Sequence, residues 1–193
     1  QALSILKTGA NVFLTGEPGS GKTHTINRYV AYLREKGIEP AITASTGIAA
    51  THIGGMTIHS WSGIGIKTIM DKRDLDRIAS SKYATPRIRR AKVLILDEVS
   101  MLAPETLSMV DAVCRSVRRS VEPFGGMQVV LVGDFFQLPP VVKLDLKESM
   151  QTELIETPKA RFAFNSSVWT RADLAVCYLT EQYRQDDDTF LSI

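Results

Sequence analysis

The 193-residue sequence predicts an α/β fold in which helices flank a mainly parallel sheet. Three observations predict this class. Apolar runs of strand length alternate with segments of helical periodicity, which is typical of parallel strands joined by helices. The run from Val93 to Leu96 is continuously apolar, as in a strand covered on both faces. Polar residues follow the predicted strands, at the edge where open α/β sheets bind ligands.

Val12, Phe13 and Leu14 are predicted to form the end of the first strand. A glycine-rich loop then leads into a helix that begins at Lys22. Apolar residues recur in this helix at helical spacing and predict its buried face, which comprises Ile26, Tyr29, Val30 and Leu33. Gly37 is placed to end the helix, since glycine readily adopts the left-handed conformation common at helix ends.

Four further strands are predicted along the chain. They are "PAITAST" (40–46), "AKVLILDEVSML" (91–102), "MQVVLVGD" (127–134) and "DLAVCYL" (173–179). Pro104 fits the first turn of a helix, and the buried stripe predicted for that helix comprises Val110, Val113, Cys114, Val117 and Val121. The polar residues 143–160 are predicted to form an exposed excursion.

Composition indicates a soluble protein of one domain, or of one domain and a fragment, with 44% hydrophobic residues. Its two cysteines, Cys114 and Cys177, are too few for a disulfide framework or a cysteine metal site and indicate buried thiols in a reducing compartment. Net charge is +2, but residues 67–92 hold nine Lys or Arg against three Asp. This basic stretch is either a solvated helical surface or a surface that faces phosphate groups.

Residues 13–23, "FLTGEPGSGKT", match the phosphate-loop pattern G-x-x-x-x-G-K-T between a strand and a helix. Its glycines let successive N–H groups surround phosphate oxygens, at the positive end of the helix dipole. We expect the Lys22 ammonium to bridge the outer phosphates and the Thr23 hydroxyl to ligate Mg²⁺. The predicted nucleotide-binding residues are Gly16, Glu17, Gly19, Ser20, Gly21, Lys22 and Thr23.

Asp97 and Glu98 directly follow the most apolar strand. In a chain that also carries a phosphate loop, Asp97 is predicted to hold Mg²⁺ and Glu98 to deprotonate an attacking water. This pairing favours hydrolysis over phosphate transfer by a small-molecule kinase. Gln137 follows the next strand, beside Pro139 and Pro140, and is predicted to sense the γ-phosphate.

Two other nucleotide-binding classes are not supported. The nearest match to the base-reading signature of a GTPase is "VKLD" at 142–145, which begins with valine and follows no predicted strand. The L-S-G-G-Q stretch of transporter ATPases is absent from the sequence.

Several segments together resemble the PIF (petite integration frequency) helicases, DNA motor ATPases of superfamily one that are related to RecD-type enzymes. The segments are "ITASTGIAA" (42–50), "GGMTIHSWSGIG" (54–65), "LILDEVSML" (94–102), "PFGGMQVVLVGDFFQLPPV" (123–141), "RFAFNSSVW" (161–169) and "LTEQYRQ" (179–185). Residues 109–126 resemble the signature that separates this family from its relatives. The resemblance covers nearly the whole chain.

The resemblance implies a RecA-like P-loop NTPase domain that uses ATP and Mg²⁺ to move 5′-to-3′ along single-stranded DNA and unwind forked duplexes. It gives Lys22, Asp97, Glu98 and Gln137 the roles stated above and makes Arg184 a phosphate-contacting arginine. It further implies a monomer in DNA repair or telomere maintenance, with no membrane association. The expected compartment is the cytoplasm in bacteria and the nucleus or mitochondria in eukaryotes.

Candidate DNA contacts follow from the same resemblance. Ser45, Thr46 and Gly47 offer a hydroxyl and backbone amides to a phosphate, and His59 and Trp61 offer flat rings for stacking. The alternative for Trp61 is a place in the core, since it lies three residues after Ile58.

The family also has an adenine-reading glutamine upstream of the phosphate loop. Gln1 is available, about two residues closer to Gly16 than the family spacing. Residues 1–193 resemble the first of two RecA-like domains, and the second, which would complete the ATP cleft with a further arginine, is absent from this chain. The alternative function is a nucleic-acid-dependent ATPase switch or loader that does not unwind DNA.

Overall fold

The computed structural model describes residues 1–137 and 162–180. Their core is a six-stranded sheet in the order β3-β2-β4-β5-β1-β6, with every neighbouring pair parallel. The strands are β1 (Val12–Gly16), β2 (Ala41–Ala44), β3 (Met56–Thr57), β4 (Val93–Asp97), β5 (Gln128–Val132) and β6 (Ala175–Leu179). The prediction of a parallel α/β fold is confirmed.

Helices connect these strands and cover both faces of the sheet. They are α1 (Ala2–Leu6), α2 (Lys22–Glu35), α3 (Gly47–His52), α4 (Ile58–Ser62), α5 (Lys72–Ala79), α6 (Ala84–Arg90), α7 (Pro104–Arg118) and α8 (Ser167–Arg171). In the described part of the chain, no helix is long and apolar enough to cross a membrane.

Alternate residues of the central strands point into two separate cores. Val12 and Leu14 belong to the core that includes Leu6 of α1 and Leu33 of α2. Phe13, between them in sequence, belongs to the larger core formed with α4 to α8. Because strand side chains alternate between faces, a strand in a fully covered sheet must be apolar at every position. This explains the uninterrupted apolar run of β4.

The helix after the phosphate loop has the predicted buried face. Tyr29, Val30 and Leu33 are buried, and Ile26 packs partly buried against them. The helix ends at Glu35, and Gly37 has the expected left-handed φ of 71°. Both cysteines are buried free thiols, as predicted, and burial raises their pKa.

One sequence-based expectation about secondary structure was wrong, and one short strand was not predicted. Val121 is 83% exposed, because α7 ends at Arg118 and Arg119 turns the chain with a φ of 54°. The two-residue strand β3 was not predicted, since it is too short to show a period. The predicted excursion at 143–160 lies outside the described residues.

Candidate functional site

The phosphate loop connects the end of β1 to the start of α2. Gly19 and Gly21 have φ values of 83° and 86°, in the region that favours glycine. A Cβ on Gly16 would lie 2.5 Å from the carbonyl oxygen of Leu179 and 2.7 Å from the Ser20 hydroxyl. The tight approach of β6 therefore requires glycine at position 16.

Lys22 folds its side chain back over this loop. Its Nζ donates hydrogen bonds to the carbonyl oxygens of Gly16 at 2.6 Å and Glu17 at 2.9 Å. Ser20 is 3% exposed, and its hydroxyl has no hydrogen-bond partner among the described residues. The loop thus holds one ammonium group and a buried hydroxyl at the positive end of the α2 dipole, which suits an anionic ligand.

The two predicted magnesium ligands line the same cavity. Thr23, on α2, and Asp97, at the end of β4, both line a space of about 30 Å³ between helix and sheet. No group of three or more His, Cys, Asp or Glu in the described ranges could hold a metal by itself. A hydroxyl with one carboxylate suits Mg²⁺, which takes few protein ligands and completes its shell with water and phosphate oxygens.

Asp97 and Glu98 form an electrostatically strained pair. The Glu98 N–H donates to Asp97 Oδ1 at 2.9 Å, and Glu98 has a left-handed φ of 53°. Burial raises the pKa of Asp97, while the Glu98 N–H bond and the Lys22 charge oppose that rise. Burial also raises the pKa of Glu98, and Asp97 and Asp134 raise it further. A raised pKa suits a general base, because it makes the carboxylate a stronger acceptor for the proton of an attacking water.

Asp134 is a site residue that sequence reasoning missed. It is 5% exposed, and its Oδ2 accepts a 2.9 Å hydrogen bond from Gln137 Nε2. Its Oδ1 accepts the N–H of Phe136 at 2.9 Å, which fixes the turn after β5. Asp134 follows an apolar strand closely, as Asp97 does, and that signal could have identified it. The predicted γ-phosphate sensor is therefore oriented by a buried carboxylate.

A cavity of about 990 Å³ adjoins the phosphate loop between α1, α2 and β6. Gln1 lines it together with Ser20 and Gly21, so the structure brings the candidate adenine-reading glutamine to the loop. Sequence reasoning missed His24, Thr25 and Arg28, which also line this cavity. His24 and Thr25 lie four and three residues before Arg28, a spacing that places them on one polar face of α2 and could have been recognised in the sequence.

Thr46, Gly47 and His59 lie at the same carboxyl edge of the sheet. Ala44 and Thr57 are register partners in β2 and β3, and Thr46 and His59 each follow two residues later. The Thr46 hydroxyl caps α3 by accepting the N–H of Ala49, and Gly47 is exposed. His59 is half-buried, and burial lowers its pKa.

Two predicted DNA contacts require correction. Trp61 is 4% exposed and belongs to the larger core with Ile58, as the alternative interpretation held, so its ring is not available for stacking. Ser45 is 8% exposed, and its hydroxyl is buried without a partner among the described residues. Its N–H donates to the carbonyl oxygen of Asp97 at 3.1 Å, which ties β2 to the acidic pair. Periodicity alone could not separate these buried residues from their exposed neighbours.

Several cations of the basic stretch at residues 67–92 make hydrogen bonds or ion pairs within the chain. Arg87 Nε donates to the carbonyl oxygen of Trp61 at 2.6 Å, and Lys67 and Arg77 both pair with Asp74, at 3.0 Å and 3.3 Å. Arg184 and the proline pair at 139–140 lie outside the described residues. Their predicted roles stay predictions.

The sequence from residue 2 to residue 191 matches the family model of PIF1-like helicases. The chain belongs to the PIF1-like helicase family. It is 51% identical over 184 residues to the ATP-dependent DNA helicase Pif1 of Psychrobacter sp. (strain PRwf-1), covering 95% of this chain and 26% of that protein. It is 42% identical over 192 residues to the ATP-dependent DNA helicase RRM3 of Saccharomyces cerevisiae, covering 98% and 25%. The chain thus spans about a quarter of the length of these curated relatives.

Solved structures of PIF1-like helicases share this fold. The crystal structure of Pif1 helicase from Candida albicans matches with a TM-score of 0.84 at 36% identity, over 99% of this chain and 41% of that one. Bacteroides sp Pif1 in complex with ADP-AlF4 matches with a TM-score of 0.79 at 36% identity, over 99% and 43%. Bacteroides Pif1 bound to ssDNA matches with a TM-score of 0.76 at 34% identity, over 98% and 42%. The PIF1-like assignment confirms the resemblance seen in the sequence and the RecA-like fold class.

Proposed function

We propose that residues 1–193 form the first of two RecA-like motor domains of an ATP-dependent DNA helicase. The observation that carries this proposal is the convergence of Lys22, Glu98 and the Asp134–Gln137 pair at the carboxyl edge of the sheet in a PIF1-like chain. This arrangement can hold a triphosphate, activate a water and register the γ-phosphate. Hydrolysis in the complete protein drives 5′-to-3′ movement along single-stranded DNA and unwinding of forked duplexes.

ATP and Mg²⁺ are the proposed cofactors. Thr23 and Asp97 would hold the ion, because they line one cavity beside the phosphate loop. When bound, Mg²⁺ neutralises charge on the phosphate oxygens. Gln1 and the polar face of α2 line the adjoining cavity and are the candidate contacts for the nucleoside.

The chemical step is assigned to Glu98 and Gln137. Glu98 accepts a proton from the attacking water, and the raised pKa of its carboxyl group favours that transfer. Gln137 contacts the γ-phosphate from a position set by its 2.9 Å bond to Asp134. Loss or gain of the γ-phosphate then alters the turn after β5, which gives the motor its switch.

Single-stranded DNA crosses the carboxyl edge beside β2 and β3. The N–H groups at Thr46 and Gly47 contact a phosphate, and the neutral ring of His59 stacks on a base. Ser45 lies beneath this path with its N–H bonded to Asp97, so it connects the DNA side to the acidic pair.

The complete motor works as an intracellular monomer in which a second RecA-like domain closes on the nucleotide. Arg184 and an arginine from that domain supply charge stabilisation from other directions. The second candidate function is a DNA-dependent ATPase switch or loader. Such a switch or loader would use the same ATP site. Only an assay of strand displacement distinguishes it from a helicase.

The test uses this chain extended through its second RecA-like domain. Lys22→Ala should abolish binding of a fluorescent ATP analogue, because the triphosphate loses its nearest cation, while the matched control Lys36→Ala at the exposed end of α2 should bind normally. Glu98→Gln should still bind ATP, with turnover lower by roughly two to four decades. Unchanged turnover in Glu98→Gln would remove Glu98 from the mechanism.

Strand displacement on a forked duplex decides between the two candidate functions. A helicase should show ATPase stimulation by single-stranded DNA together with displacement. Stimulation without displacement would favour the switch or loader, and the absence of both would overturn the proposed function.

A further inference from the structure

Two sequence features that the nucleotide site does not use meet at the opposite edge of the sheet. The basic stretch ends with α6, which leads into β4, and the 109–126 segment contains the end of α7, which leads into β5. Both helices therefore end at the amino edge of the parallel strands. The phosphate loop and acidic pair lie at the carboxyl edge.

An open cavity of about 480 Å³ lies at this amino edge. Its lining residues are Arg89, Val117, Arg118, Arg119 and Gly125, and none of them carries a carboxylate. We define the basic edge as Arg89, Arg90, Lys92, Arg118 and Arg119. The cavity thus presents three guanidinium groups from two helix ends.

Arg118 is held in place by carbonyl oxygens. Its Nε donates to Gly125 at 2.7 Å, and its Nη1 donates to Ala91 at 2.8 Å at the end of α6. A Cβ on Gly125 would lie 2.7 Å from Arg118 Cδ, and Gly125 has a φ of 67°. The family-distinguishing segment therefore uses glycine here to seat this arginine, whose charge no carboxylate among the described residues neutralises.

The other cations of the basic edge are exposed. Arg89 Nε donates weakly to the Val117 carbonyl oxygen at 3.3 Å, and the side chains of Arg90, Lys92 and Arg119 have no partner within the described ranges. Glu122 is the exposed carboxylate on the adjoining turn. Five cations and one exposed carboxylate create a positive electrostatic potential at this edge, and such a potential attracts a polyanion.

Asp111 lies on the same helix but does not neutralise this edge. It is 1% exposed, and its Oδ2 pairs with Arg115 at 3.0 Å and with Arg171 at 2.8 Å. Its Oδ1 accepts the N–H of Phe124 at 2.7 Å, which shapes the turn that carries Gly125. Asp111 therefore stabilises the turn that places Gly125 in the cavity wall.

We propose that the basic edge binds the phosphate backbone of duplex DNA lying outside the nucleotide cleft. Guanidinium forks match phosphate geometry, and contacts to the backbone need no base-reading groups. Single-stranded DNA is the poorer fit, because its sites combine cations with exposed aromatic rings, and Phe124, the aromatic residue of the adjoining turn, is 1% exposed. This surface is separate from the single-strand path over Thr46 and His59.

The test measures binding of a labelled blunt duplex of about 20 base pairs to the two-domain protein. An unlabelled single-stranded oligonucleotide in excess keeps the single-strand path occupied. The variant Arg89→Gln/Arg119→Gln removes two charges that line the cavity. Its matched control, Lys36→Gln/Lys82→Gln, removes two exposed charges elsewhere on the surface.

Each phosphate contact contributes about 0.9 to the slope of log affinity against log salt, so the variant should lose about 1.8 from that slope. The loss of affinity between about 50 and 200 mM salt should then be about tenfold smaller than for the wild type and the control. Stimulation of ATPase activity by a short single strand should be unchanged, and thermal unfolding verifies that the variant folds.

A variant with wild-type affinity and slope would overturn the proposal. So would equal competition by a poly-glutamate peptide and by unlabelled duplex, which would indicate an acidic protein partner. ATPase stimulation of the wild-type protein by single-stranded DNA tests the proposed function, whereas duplex binding by the variant tests the basic edge. Failure of either test therefore does not imply failure of the other.

Discussion

Glu98 combines an unfavourable backbone conformation with an unfavourable charge. Its φ of 53° is rare for a residue with a Cβ, and Asp97 and Asp134 both raise its pKa beyond the effect of burial. Such costs persist where the surrounding structure enforces them, as at functional sites. In the proposed motor, an incoming Mg²⁺ would relieve the repulsion among these carboxylates.

The raised pKa of Glu98 predicts a dependence of stability on pH. The pKa of this carboxyl group is higher in the folded state than in the unfolded state. Its contribution to stability is therefore fully present below the unfolded pKa of about 4.3. That contribution is lost as the pH rises through the folded pKa. Without nucleotide, Glu98→Gln should therefore raise the Tm at neutral pH and raise it by less near pH 4. Thermal unfolding at several pH values measures this. Glu35→Gln, on an exposed residue of α2, is the control, and a lower Tm for Glu98→Gln at neutral pH would contradict the interpretation.

His59 is predicted to contribute stacking without charge. Burial lowers its pKa, so the ring is neutral at pH 7. His59→Ala in the two-domain protein should weaken single-stranded DNA binding by about 1–3 kcal/mol with little change in the salt dependence. Anisotropy titrations at several salt concentrations measure both quantities. The control is His52→Ala at the exposed end of α3, and a salt slope lower by about one would instead indicate an ionic contact.

The turn after α7 shows how an element outside the nucleotide site depends on single residues. Phe124 and Gly125 both have left-handed backbones, and Asp111 holds the turn through the Phe124 N–H. A side chain on Gly125 would meet both Arg118 and the Cys114 carbonyl oxygen. This turn therefore couples the end of α7 to the start of β5.

Gly125→Ala should lower the free energy of unfolding by about 2–4 kcal/mol. About 1 kcal/mol comes from the left-handed φ and the rest from the clash with Arg118 and Cys114. Gly54→Ala is the matched control, since Gly54 has a φ of 61° and a Cβ there would meet nothing within 4 Å. It should cost only about 1 kcal/mol. Equal losses in denaturant titrations would show that the contact with Arg118 does not matter.

At the scale of the whole molecule, the proposed two-domain motor would use the described chain as one wall of its nucleotide cleft. Lys22, Glu98 and Gln137 all belong to a single sheet edge, whereas phosphoryl transfer needs charge stabilisation around the whole γ-phosphate. An arginine from a partner domain is worth about three to five decades in rate. Translocation also requires two domains that approach and separate.

The isolated 193-residue chain should therefore hydrolyse ATP slowly and displace no strand. The same chain extended through a second RecA-like domain should show ATPase activity stimulated by single-stranded DNA. Steady-state turnover and a forked-duplex displacement assay compare the two. Robust unwinding by the isolated, monomeric chain would overturn its assignment as half of a motor.

The placement of the phosphate loop after β1 and of the acidic pair at the end of β4 was predictable from the sequence, because each motif is local. The glycines, Lys22 and Thr23 lie within a few residues of one another, and Asp97 and Glu98 follow an apolar run whose burial shows in its composition. The α/β class was predictable for the same reason, since periodicity is a property of short segments.

Only the tertiary structure decided which residues meet across the sheet. The strand order places β1 between β5 and β6, so Gln1, Ser20 and residues 176–180 share one cavity although they are far apart in sequence. It buries Trp61 and Ser45 while leaving His59 partly exposed, and it brings the ends of α6 and α7 together as the basic edge. These outcomes depend on the packing of elements distant in the chain, and no local pattern carries that information.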